Sequence, residues 1–117
     1  MIVEERIYRI RPGKTRNYLK LVKEEGLAIQ ESIAGHLIGY FVSEIGPLND
    51  VVHMWGYADF EETMRRRQKL AADPRWQTSI PKLTALIESS ENRLLLPTDF
   101  SPLNRKQTSR RCRNNRE

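Results

Sequence analysis

The chain has 117 residues, enough for one domain and too few for two. Hydrophobic residues make up 38% and charged ones 30%, which supports a modest core and excludes disorder along the whole length. One cysteine excludes an internal disulfide and a Cys-rich zinc site, and the net charge of +5 is uneven: residues 1–96 carry 14 Lys and Arg against 13 Asp and Glu, residues 97–117 six against two.

Alternation predicts a first strand from Ile2 to Ile10. Ile2, Glu4, Arg6, Tyr8 and Ile10 share one face; Val3, Glu5, Ile7 and Arg9 share the other. Neither face is purely apolar. Arg11-Pro12-Gly13-Lys14 reads as a turn. A helix follows from about Thr15 to Ser32, with Tyr18, Leu21, Val22, Ile29 and Ile33 building an apolar stripe. Gly26 inside it marks a bend or a division into two helices, and Gly35 suits the left-handed position just past the helix end. The second strand is His36 to Ser43, with Ile38, Tyr40 and Val42 on one face and Leu37, Gly39 and Phe41 on the other.

After a loop over residues 44–50, Val51 to Ala58 forms the third strand. Val52, Met54, Gly56 and Ala58 make a small apolar face, the kind expected beneath packed helices; Val51, His53, Trp55 and Tyr57 make the opposite face. Asp59 with Glu62 forms a capping box for a helix running to about Ala71 through the basic block Arg65 to Lys69. Asp73-Pro74 starts another helix, whose apolar positions are Trp76, Ile80, Leu83 and Ile87. Pro81 should kink or divide it, and Asn92 to Leu96 reads as the last strand.

The order predicts an α+β, ferredoxin-like β-α-β-β-α-β fold with an antiparallel four-stranded sheet. Helices cover only one face of such a sheet. The other, to which Tyr40, Trp55 and Tyr57 are assigned, is expected to be buried by a second copy, giving a homodimer.

Several segments resemble the NIPSNAP family. Val51-Val52-His53-Met54-Trp55-Gly56-Tyr57-Ala58-Asp59-Phe60 is similar to the family's V-V-H-L-W-x-Y-x-D-L. The basic block with Leu70-Ala71-Ala72-Asp73-Pro74-Arg75-Trp76 resembles R-R-x-x-L-x-x-D-P-x-W, and Glu4-Glu5-Arg6-Ile7-Tyr8 with Pro12-Gly13-Lys14 resembles E-x-R-x-Y…P-G-K. The loop Glu44-Ile45-Gly46-Pro47-Leu48-Asn49 also fits, whereas Pro81 departs from the pattern. The resemblance spans residues 1 to about 103 and implies a dimeric α/β-barrel in which two ferredoxin-like sheets enclose an interior. It implies no settled activity, although relatives of the fold include cofactor-independent monooxygenases and haem-degrading enzymes.

In this topology the first and third strands are neighbours. If both polar faces meet the barrel interior, Glu4, Arg6, Tyr8, Tyr40, His53, Trp55 and Tyr57 line one ligand pocket between sheet and partner. Arg6 can hold an anionic group, Trp55 offers a flat wall, and His53 and Tyr8 are the candidates for acid–base chemistry. The alternative is a Glu4–Arg6 ion pair closed on itself, with Tyr8 and His53 completing its hydrogen bonds. The Arg65 to Lys69 block reads as a solvated helix face from which Arg65 can reach an interior carboxylate, Trp76 as core or dimer contact, and His36 as a surface residue.

Neither metal-ligand spacing nor a phosphate loop occurs, so no metal and no cofactor are predicted. No apolar run approaches the roughly 20 residues of a spanning helix, which predicts no membrane partner and a cytoplasmic protein. Residues 104–117 read as a disordered basic tail carrying Cys112; without interleaved aromatics, and with a nearly neutral domain before it, nucleic acid is not an expected partner. Three functions stay open: a small-ligand-binding homodimer, a cofactor-independent monooxygenase-like enzyme, and a non-catalytic interaction protein.

Overall fold

The computed structural model describes residues 1–103; the predicted tail and Cys112 lie outside the described residues. The strands are β1 (Ile2–Ile10), β2 (His36–Val42), β3 (Asp50–Tyr57) and β4 (Ile87–Leu95), paired antiparallel in the order β2-β3-β1-β4. Between β1 and β2 lie α1 (Thr15–Leu21), a π-helical turn (Val22–Gly26) and α2 (Leu27–Ile33); α3 (Phe60–Ala72) and α4 (Pro74–Thr84) connect β3 to β4. This is the predicted ferredoxin-like order, with β1 and β3 central. No helix among the described residues is long and apolar enough to cross a membrane.

The local punctuation acts as its chemistry requires. Asp59 accepts from the Glu62 amide at 2.7 Å to start α3, and Asp73 accepts from the Arg75 amide at 2.8 Å to start α4, with Pro74 in its first turn. Gly26 divides the long helix through the π-helical turn; an added Cβ there would only touch Leu83 at 3.5 Å and Trp76 at 3.8 Å, so α4 packs close. Ser79 and Lys82 of α4 both donate to the Glu25 carboxylate, at 3.2 and 3.0 Å, and fix that approach.

Pro81 neither breaks α4 nor stops it at once. The helix continues to Thr84, whose hydroxyl donates to the carbonyls of Ile80 and Pro81. The Leu86 amide then closes on Leu83 at 3.0 Å, and the Arg11 amide takes the Leu86 carbonyl at 2.9 Å, drawing the chain into the sheet. Consequently Ile87, expected on the helix, opens β4 and pairs with Ile10, and the last strand begins well before Asn92.

The larger correction concerns the faces of the sheet. Trp55 and Tyr57 pack with Ile29, Ile33, Ala34 and Leu70 of the helical layer; Val51 and Ile10 pack with Tyr18, Val22 and Leu83. The aromatic and polar face therefore lies beneath this chain's own helices, not toward a second copy. In β2 the register shifts between Leu37 and Gly39, so Leu37 joins Tyr40 and Val42 on the helix side, opposite Trp55, His53 and Val51. Val52, Met54, Ile7 and Phe41 belong to the uncovered face.

Candidate functional site

The β1–β3 register sets Glu4 opposite Trp55 and Arg6 opposite His53; the β1–β4 register sets Arg6 opposite Asn92. Directly paired residues share a face, so these side chains crowd together beneath the helices. Glu4 is the centre of the group and only 1% exposed. Its Oε2 accepts from Arg6 Nη1 at 2.9 Å and from Asn92 Nδ2 at 3.0 Å. Arg67 Nη1 donates to both carboxylate oxygens, at 3.0 and 3.1 Å, and the Tyr57 hydroxyl donates to Oε1 at 3.4 Å. Arg6 Nε completes the array by donating to the Tyr8 hydroxyl at 2.8 Å. Burial pushes the Glu4 carboxyl upward, but the Asn92 hydrogen bond and the Arg67 and Arg6 charges together outweigh it and hold the group below its ordinary value. Glu4 is thus ionised and saturated with donors.

Arg67 comes from α3, in the basic block read as a solvated face; it is Arg67 and not Arg65 that reaches inward. It stands on the same helical stripe as buried Thr63 and Leu70, at spacings of four and three, and that phase was the available signal. α3 is held in place by Arg66, which bonds Glu62 at 2.8 Å and the Ile33 carbonyl at 3.2 Å. Asn92 reaches Glu4 only through the pairing of β4 with β1, a contact between residues 88 apart that no local pattern reveals.

His53 is part of the neighbouring core and not of the Glu4 array. Its Nδ1 accepts from the Trp55 indole at 2.8 Å, which places the ring proton on Nε2, a buried atom with no hydrogen-bond partner among the described residues. Tyr40 stacks on the imidazole at 4.6 Å and Tyr8 meets it edge-on at 4.9 Å. Burial, with the Arg6 charge adding to it, drives His53 down to about 3, so the ring is neutral at pH 7. The Tyr40 and Tyr18 hydroxyls bond each other at 3.0 Å; burial raises Tyr40 to about 12 and Tyr18 further. Tyr57 also rises to about 12, from burial and the adjacent Glu4 charge.

Two adjoining cavities lie between sheet and helices. One, of about 240 Å³, is lined by Glu4, Arg6, Tyr8, Trp55, Tyr57 and Arg67 together with Leu70, Trp76 and Ile80. The other, of about 320 Å³, shares Arg6, Tyr8, Gln30, Trp76 and Ile80 with the first and runs on past Val22 and Leu83 to Glu88 and Ser89. Five of the seven expected ligand-site residues therefore line this cleft. Tyr40 and His53 stand behind its wall, and the expected position between sheet and partner gives way to one inside the subunit. A wider depression of about 730 Å³ beside Gly35 and His36 is open at the surface, and its Glu62 and Arg66 are already paired.

Comparison with known proteins agrees with this architecture. The NIPSNAP family model matches residues 3–102. A NipSnap homologue from Dictyostelium discoideum is 35% identical over 94 residues, covering 80% of this chain; the chain spans only 41% of that relative's length. A crystal structure of a NIPSNAP family protein from Agrobacterium tumefaciens strain C58 has 70% identity and a TM-score of 0.86, covering 87% of this chain and 97% of the other. An antibiotic biosynthesis monooxygenase shares the fold alone, at 16% identity and a TM-score of 0.61 over 84% of this chain and 99% of its own. A match along nearly the whole domain, with the Glu4, His53-Trp55 and Asp73-Pro74 segments all inside it, makes this chain a member of the NIPSNAP family.

Proposed function

We propose that this NIPSNAP domain is a homodimer that binds a small organic molecule in the cleft between its own sheet and helices. One observation carries the ligand reading: a cleft of about 240 Å³ whose wall combines the ion cluster of Glu4, Arg6 and Arg67 with Tyr8, Trp55, Tyr57 and Trp76. Such a mixture of apolar walls and a few fixed polar groups is what small-molecule sites use. The dimer reading rests on the apolar residues of the uncovered sheet face, of which Phe41 is 53% exposed. A cytoplasmic location belongs to the same proposal and is checked by cell fractionation.

Fold likeness carries no monooxygenase reaction to this chain, and we assign none. His53 does not line the cleft; Tyr8 is the acid–base candidate that does. The chain has two tryptophans, Trp55 and Trp76, and both line the cleft, so their indole NMR signals report on it directly. Titration with a fragment library should shift one or both indole N–H resonances. A library in which no compound moves either would sink the ligand reading.

A further inference from the structure

We infer that the ligand is a monoanionic organic acid, its carboxylate held by Arg6 and Arg67 and its flat apolar body lying beside Trp55 and Trp76. The inference rests on the cleft being a ligand site and adds the chemical class.

Two guanidiniums and one carboxylate, Arg6, Arg67 and Glu4, line the inner cavity, and its other titratable groups are the phenols of Tyr8 and Tyr57. One positive charge is left over. Glu4 cannot attract a cationic ligand, because four side chains already occupy its oxygens.

Arg6 spends Nε on Tyr8 and Nη1 on Glu4, and Arg67 spends Nη1 on Glu4. A guanidinium carries five N–H donors in a planar fork, so each arginine retains N–H groups beyond those bonds. Forked donors of this kind match the two oxygens of a carboxylate. The ion cluster fixes both arginines in advance, which lowers the ordering cost on binding.

Leu70, Trp76 and Ile80 line the same cavity and provide an apolar wall for one or two rings. At the far mouth the charged residue is Glu88, which repels an anion and leaves the Arg67 end as the place for the acid group.

The test uses the full chain and two matched compounds, 2-naphthoate and the neutral 2-naphthamide, titrated at pH 7.5 by calorimetry and by the indole signals. Benzoate and benzamide form a smaller pair. Naphthoate should bind about tenfold tighter than the amide, with the advantage shrinking as salt rises. Arg67→Gln should erase the advantage, and Arg67→Lys, which keeps the charge but not the fork, should retain part of it. Should the glutamine variant fail to fold, the lysine variant still decides: a severalfold loss for naphthoate with the amide unchanged supports the assignment.

Equal or tighter binding of the amides to the unaltered protein overturns the acid class while leaving the cleft as a ligand site. An acid preference that persists in folded Arg67→Gln moves the anion elsewhere and overturns the assignment. Failure of all four compounds to bind overturns both the cleft reading and this inference.

Discussion

At the scale of single residues, Glu4 is the most consequential position in the described chain. Glu4→Gln keeps the shape of the side chain but leaves Arg6 and Arg67 facing each other without a counter-ion. Removing one partner from a buried ion cluster costs about 3–5 kcal/mol, so urea denaturation should show a loss of that order. The pH dependence has a definite sign. Because the Glu4 carboxyl lies below its ordinary value of 4.5 in the fold, its stabilisation is complete above about that pH and is lost as pH falls through the lower folded value. His53 acts in a higher window. Its neutral ring is buried, while in the unfolded chain it protonates near 6.5; stability therefore declines from about pH 6.5 toward 3, by at most about 1.4 kcal/mol per unit. In chemical denaturation, His53→Gln should flatten stability between pH 6.5 and 5, and Glu4→Gln should flatten it below 4.5. A wild-type slope that survives His53→Gln would mean that the imidazole is not held neutral.

At the scale of elements, two glycines with opposite backbone geometry predict opposite outcomes. Gly35, just past α2, has φ of +118°, and an added Cβ would stand 3.1 Å from the Tyr57 ring and 3.2 Å from the Gly56 carbonyl. Gly35→Ala should cost more than about 1 kcal/mol, from strain and from displacing Tyr57, a Glu4 donor. Gly26 has helical φ of −71° and room for a methyl group, so Gly26→Ala should gain about 0.5–1 kcal/mol in the same denaturation experiment. Both positions were legible in the sequence because glycine is read from local backbone needs. Helix caps were legible for the same reason, and strand order followed from the β-α-β-β-α-β sequence of elements. The face of the sheet was not legible. Small apolar Val52, Met54 and Gly56 looked like a floor for helices, and the polar and aromatic set around Glu4 looked like a face turned toward a partner. The reversal follows from mutual satisfaction: once Arg67 and Asn92 arrive from α3 and β4, a row of charges can be buried, so polarity alone does not reveal exposure. Neither contribution is visible until the elements are docked.

At the scale of the molecule, covering one sheet face with helices leaves the other face to be accounted for. Across its middle runs the row Phe41, Val52, Ile7 and Glu91, taken in turn from β2, β3, β1 and β4. Four strands ~4.8 Å apart and ~30 Å long offer roughly 600 Å² of flat area, close to the ~800 Å² per partner of a standard interface. Edge residues such as Leu95, 37% exposed, enlarge it. A two-fold packing of this face on itself is the proposed dimer, and it separates two properties that the sequence reading had merged. In that proposal the ligand cleft belongs to each subunit, whereas the apolar part of the row, Phe41, Val52 and Ile7, belongs to the interface. Val52→Lys puts a charge at the centre of that row and touches no residue of the cleft. Light scattering after gel filtration should report a dimer for the unaltered chain and a monomer for the variant, with the far-ultraviolet circular dichroism unchanged and 2-naphthoate bound equally well by both. A monomeric wild type would refute the dimer, and a variant that stays dimeric would place the interface on another surface. A monomeric variant that no longer binds naphthoate would show that the partner shapes the cleft after all.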